Sequence, residues 1–157
     1  MNVEERSEVI RGWIETAFAN VPRPTRDEMA GSASIGELWC AKEFAGRPRD
    51  EVTINDALPE CLLWMPPSAV QYYLPMFLLY LLNPKHRYES YILDSVIGYF
   101  DRRNRREYPQ FSAMQRRCIM EWLEFVRDNH DAYDFGRLRD RYERRLNLIR
   151  DQWSAAS

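Results

Sequence analysis

His86 and His130 are the only imidazoles in this 157-residue chain, and each stands apart from the partners that imidazole chemistry needs. His130 lies between Asp128 and Asp131, the company a metal ligand would keep. Neither histidine, however, has a second His or Cys at helical spacing, as a tetrahedral N/S site requires. Both are expected to flank or cap helix ends. Gly12, Gly31, Gly36, Gly46, Gly98 and Gly136 are scattered, so they build no phosphate-cradling loop. There is no serine elbow, Cys–His pairing or His-Glu-x-x-His. Glu121, Glu124 and Asp128 would fall along one side of a helix, where paired carboxylates could exchange protons. Arg117 four residues before Glu121, and Arg127 four before Asp131, instead mark a solvated face of local ion pairs. The expectation is a protein with no catalytic residue, no metal ligand and no cofactor. A small enzyme whose site is assembled only in space stays open as an alternative.

Charge is the more informative signal. Residues 1–60 hold 12 Asp+Glu against 7 Lys+Arg, while the whole chain carries a net charge of -2. Asp50, Glu51, Asp56 and Glu60 crowd a segment that follows Gly46 and Pro48 and reads as an exposed loop. Loops carry binding function more often than scaffolds do, which makes these four carboxylates candidate partner contacts. Tyr72 and Tyr73, with Trp64 and Tyr80, could add an aromatic surface of the kind that dominates binding hot spots. Core packing is the competing reading for that helix. The opposite sign concentrates in Arg102, Arg103, Arg105 and Arg106, near Arg116 and Arg117, which could touch phosphates. In the last helix Arg139 faces Glu143 and Asp140 faces Arg144, the spacing of local ion pairs, and nucleic-acid binding is kept as the alternative function.

The elements that must position these residues are all helices. Val9, Ile10, Trp13, Ile14, Ala17 and Phe18 recur at helical spacing over residues 4–20, with Pro22 and Pro24 after them. Thr25 and Glu28 have the capping-box spacing. Residues 34–44 form another helix, with Ser34 as N-cap and Gly46 beyond its end. Leu58–Met65 is short and apolar, either helical or extended. Pro66-Pro67 opens a buried apolar helix to Asn83, expected to break or kink at Pro75. Tyr88, Tyr91, Ile92, Val96, Tyr99 and Phe100 give the inner face of a helix over residues 88–103. Ser112 and Gln115 cap a helix to about His130, whose core face is Phe111, Met114, Cys118, Ile119, Trp122, Leu123 and Val126. Phe135, Leu138, Tyr142, Leu146, Ile149 and Trp153 stripe the last one. No alternating strand pattern or repeat occurs. The expectation is an all-α, single-domain irregular bundle spanning residues 1–157 around a Pro-interrupted central helix.

A chain of this length can bury about 70% of its unfolded surface without a staple. Cys40, Cys61 and Cys118 form no C-x-x-C pair, and three free thiols in a reducing compartment are expected. The acidic N-terminus is unlike a signal peptide. The apolar run Leu74–Leu82 is too short for a membrane span, which needs about 18 residues or more. A cytoplasmic location with no membrane partner follows.

Four stretches together resemble a known family. They are Ala17-Phe18 followed by Val21-Pro22; Glu43-Phe44 through Gly46-Arg47; Pro67 through Tyr72-Tyr73-Leu74-Pro75; and Gln115 with Ile119, Trp122, Leu123 and Phe125. The layout over residues 10–130 is similar to small bacterial proteins known only as a domain of unknown function, with an aromatic-Tyr-Leu-Pro centre. That resemblance implies a small intracellular helical protein and supplies no catalytic residues. By analogy with other such orphans, the expected partner is another protein, with an immunity or antitoxin-like role toward a bacterial toxin.

Overall fold

Side-chain caps start several of the described helices. The computed structural model describes residues 1–29, 35–44, 46–103, 107–133 and 139–155. Helix α1 (Val3–Ala17) opens on a capping box in which the Glu5 amide donates to Asn2 Oδ1 and the Asn2 amide to Glu5 Oε2, both at 2.9 Å. Helix α2 (Arg26–Met29) begins where the Glu28 amide donates to Thr25 Oγ1. After α3 (Ile35–Phe44) and α4 (Cys61–Trp64), the long α5 (Pro67–Leu82) starts with Pro67 in its first turn, where the missing N–H has no bond to lose. Helix α6 is Ser90–Phe100, and α7 (Ala113–Asp128) carries the Ser112–Gln115 capping box. Helix α8 is Arg139–Ala155. Short 3₁₀ turns occupy Arg49–Glu51, Leu58–Glu60, Pro84–His86 and His130–Tyr133. The described residues contain eight α-helices and no strand, an all-α bundle. None of these helices is long and apolar enough to cross a membrane.

Helix ends are closed by buried donors from elsewhere in the chain. The last carbonyls of a helix have no partner inside it. At the end of α5, Leu81 O accepts from the Tyr133 hydroxyl (2.9 Å) and Leu82 O from Arg87 Nη2 (2.8 Å), while one turn earlier Leu78 O accepts from Trp122 Nε1 (3.1 Å). At the end of α6, Tyr99 O accepts from the Tyr108 hydroxyl (2.7 Å) and Phe100 O from Trp153 Nε1 (2.8 Å). Ala17 O at the end of α1 accepts from Gln115 Nε2 (3.0 Å). Each aromatic contributes apolar area to the core and one polar atom to a helix end. The bundle is thereby stitched across long sequence separations, with α7 packed against both α1 and α8, and α1 against α5.

Several expectations need correction. Helix α5 is not broken at Pro75, which lies buried within it; packing on all sides holds the helix despite the one hydrogen bond Pro75 cannot donate. The inner faces are narrower than expected. Ile10, Ile14 and Phe18 are buried, but Val9 and Trp13 are exposed, as are Met114 on α7, Tyr88 in the turn before α6 and Tyr91 in its first turn. A helix in contact with neighbours over one stripe leaves the shoulders of a wide apolar face outside. Trp13 there has the Arg117 guanidinium 5.3 Å from its ring. Helix α6 starts at Ser90 and ends at Phe100, inside the expected 88–103. Cys40 and Cys61 form a disulfide between α3 and α4, with Cα atoms 5.5 Å apart, and Cys118 is free and buried. The expectation of three free thiols is wrong, and the cysteines no longer argue for a reducing compartment. Ser34, Phe135 and Leu138, named above as cap and core, lie outside the described residues.

Candidate interaction surface

The acidic segment is held from below and charged above. It leaves α3 at Gly46, whose φ of 67° lies in the left-handed region that favours glycine. The Tyr73 hydroxyl then fastens it, donating to Arg47 O at 2.7 Å with Phe44 O also in reach at 3.1 Å. Burial, reinforced by neighbouring Tyr72, pushes the Tyr73 pKa up to about 12, so it stays a donor. Arg49 makes the second fastening. Its amide donates to the Tyr72 hydroxyl, its guanidinium donates to Tyr72 O (3.2 Å) and Phe18 O (3.0 Å), and it sits 5.0 Å from the Tyr72 ring centre. Val52 and Ile54 pack against the core, and Asn55 Oδ1 accepts from the amides of Ala57 and Leu58, turning the chain into buried Leu58 and Pro59.

With those side chains turned inward, Asp50, Glu51, Asp56 and Glu60 are all exposed. None of the four carboxylates takes part in an ion pair or hydrogen bond among the described residues. The structure therefore gathers the four predicted carboxylates on one segment, and half-buried Tyr72 beneath it. Tyr73 departs from the expected aromatic surface: it is fully buried and holds the segment from inside.

Beside this segment lies an apolar flank that the sequence reading largely missed. Leu38 and Trp39 on α3, and Leu63 and Trp64 on α4, are exposed, Leu38 by 54% and Trp64 by 47%. The two helices pack together and are joined at Cys40–Cys61. Adjacent Cα atoms are about 3.8 Å apart and an i,i+3 helical pair about 5 Å, which places the Trp39 and Trp64 Cα atoms within about 14 Å of each other. Glu60 immediately precedes Cys61. Trp64 had been named among candidate aromatics; the others carried no signal, because short apolar stretches look alike whether they face in or out.

The basic residues are arranged differently. Arg102 lies 4.4 Å from the Trp153 ring centre and 5.0 Å from that of Tyr108. Arg103 grips Asp101 with Nε (3.0 Å) and Nη2 (2.7 Å). Those hydrogen bonds outweigh burial and hold the Asp101 carboxyl below the usual carboxylate range. Arg105 and Arg106 lie outside the described residues. Between α6 and α8 a polar cleft of about 640 Å³ is lined by Asp94, Asp101, Arg103, Arg141, Tyr142, Arg144, Arg145 and Leu148. Arg145 spans it, donating to Asp94 Oδ1 at 3.2 Å, where the Tyr142 hydroxyl also donates at 3.0 Å. The expected pairs Arg139–Glu143 and Asp140–Arg144 are not among the ion pairs of the described residues; Arg139 instead meets Asp131 at 3.5 Å. Of the histidines, His86 stacks on Tyr80 at 3.9 Å, with Nδ1 2.7 Å from Glu89 Oε2.

Residues 5–137 match the family of unknown function DUF6714. The chain belongs to that family. The DUF6714 match runs from within α1 to beyond α7, takes in the acidic segment and both tyrosines beneath it, and stops before α8. Three of the four arginines described in the cleft's lining thus lie outside it. No curated protein and no solved structure matches the chain.

Proposed function

We propose that this chain is a protein-binding domain whose partner meets the acidic segment and the adjoining exposed face of α3 and α4. The observation that carries the reading is the combination of four exposed, unpaired carboxylates with a backbone pinned by Tyr72, Tyr73 and Arg49. A pinned segment loses little conformational freedom on binding, so more of its contact energy becomes affinity. The tryptophans beside it supply the apolar centre that hot spots require. Carboxylates without internal partners steer a basic surface toward this face. A toxin that cuts nucleic acid has that complementary chemistry, because its cleft must hold phosphates, and an immunity-type role toward such a toxin is the specific form of the proposal.

The test is affinity capture from the native cell with the wild type and with Glu51→Lys/Asp56→Lys. The expected result is a basic protein retained by the wild type at low salt and lost by the variant. Retention of the same proteins by both removes the segment from the interface.

A further inference from the structure

The α6–α8 cleft has the features of a small-molecule site that the protein-binding reading does not use. Its volume of about 640 Å³ lies within the range of ligand pockets, roughly 300–1,000 Å³. Asp94, Gly98 and Asp101 follow one another along the α6 face at spacings of four and three residues, so they share one side of the helix. Gly98 is the point of close approach: a Cβ there would stand 3.4 Å from Arg145 Nη2. The missing side chain lets the Arg145 guanidinium lie across α6 toward both carboxylates, 3.2 Å from Asp94 Oδ1 and 3.9 Å from Asp101 Oδ2. Arg103 completes the neutralisation of Asp101. Asp94 and Asp101 are thus matched by Arg145 and Arg103.

Arg141 and Arg144 remain. Both line the cleft, both are exposed, and neither guanidinium has an ion pair or hydrogen bond among the described residues. Among the described lining residues, four guanidinium groups stand against two carboxylates, two positive charges in excess. Guanidinium forks present paired N–H donors that match the oxygens of phosphate and carboxylate. We infer that this cleft binds a small dianionic molecule whose charged head is held by Arg141 and Arg144, with Arg145 fixed between the aspartates to complete the donor set. The shared chemistry is a doubly charged oxyanion, from a phosphate monoester or a dicarboxylate. This inference is independent of the acidic face.

The experiment is isothermal titration of the full chain with inorganic phosphate and, separately, with succinate, at physiological salt so that diffuse attraction is screened. It is repeated with Arg141→Ala/Arg144→Ala and with a charge-matched control, Arg11→Ala/Arg23→Ala. Circular dichroism confirms that each variant folds. The expected result is binding of at least one probe by the wild type and the control, weakened about tenfold or more in Arg141→Ala/Arg144→Ala, the loss expected for charge-assisted hydrogen bonds. Phosphate alone assigns a phosphoryl head, and succinate alone a dicarboxylate. Absence of binding by the wild type, or an equal loss in the control, overturns the inference.

Discussion

The acidic segment and the arginine-rich α6–α8 region carry comparable densities of charge, and the bundle treats the two signs in opposite ways. The backbone is tied down at Arg47 and Arg49, and the four carboxylates that follow over residues 50–60 are all exposed. Around α6 and α8 the cations are drawn in: Arg102 lies on Trp153 and Tyr108, Arg103 grips Asp101, and Arg145 bridges two aspartates. The asymmetry has a physical origin. A guanidinium is planar and weakly hydrated and can rest on an aromatic face, whereas a carboxylate has no such option and stays in water unless it is paired. Counting charges along the chain therefore overstates how much positive charge is free. Among the described arginines that line the α6–α8 cleft, Arg141 and Arg144 are left unmatched, and there a cation remains for a ligand.

The comparison can be broken most severely by removing the anchor of one side. Trp153→Ala should cost about 3–5 kcal/mol, as large-to-small changes at buried aromatics do. It also orphans Phe100 O and removes the platform under Arg102, and urea denaturation is the measurement. A smaller change separates the front: reduction of Cys40–Cys61 should lower stability by about 2–4 kcal/mol. Thiol titration of the denatured, unreduced chain should find Cys118 alone, and reductant should release the other two. Three thiols without reductant would contradict the pairing. Smaller again, Tyr73→Phe keeps the ring and removes only the hydroxyl beneath Arg47, so it should cost about 1–3 kcal/mol. A loss as large as that of Trp153→Ala would mean that the segment is part of the core.

The fold was legible where local chemistry and periodicity agree. Ser112 with Gln115, and the Ile10–Ile14–Phe18 stripe, name their helices because cap and face lie within a few residues of each other. The helix-end donors were not legible: Trp122 closes a carbonyl 44 residues away and Trp153 one 53 residues away, and no local pattern encodes such partners. The disulfide was hidden for the same reason. In the candidate site, the outward carboxylates followed from a loop composition that leaves them nowhere else to go. Adjacent Tyr72 and Tyr73 look alike in sequence, yet one is half-buried and the other closes the segment from inside. The spacing of Asp140 and Arg144 suggested a local pair, and that suggestion concealed the cleft.

The central claim is that the front charges are left for a partner while the back charges are used by the fold. Comparing two sets of variants by urea denaturation tests it without knowing any partner. The first neutralises the segment with Asp50→Asn, Glu51→Gln, Asp56→Asn and Glu60→Gln together. The second removes Arg102 and Arg145 as Arg102→Ala and Arg145→Ala. Unpaired exposed groups contribute little to folding, so each substitution of the first set should shift stability by no more than about 0.5 kcal/mol in either direction. The four together, which relieve repulsion among like charges, should give no net loss. The second set loses aromatic stacking, buried side-chain stems and the bridge between Asp94 and Asp101, and should cost at least about 1.5 kcal/mol. A first set that destabilises as much as the second would show that the acidic segment is structural, and would contradict the account.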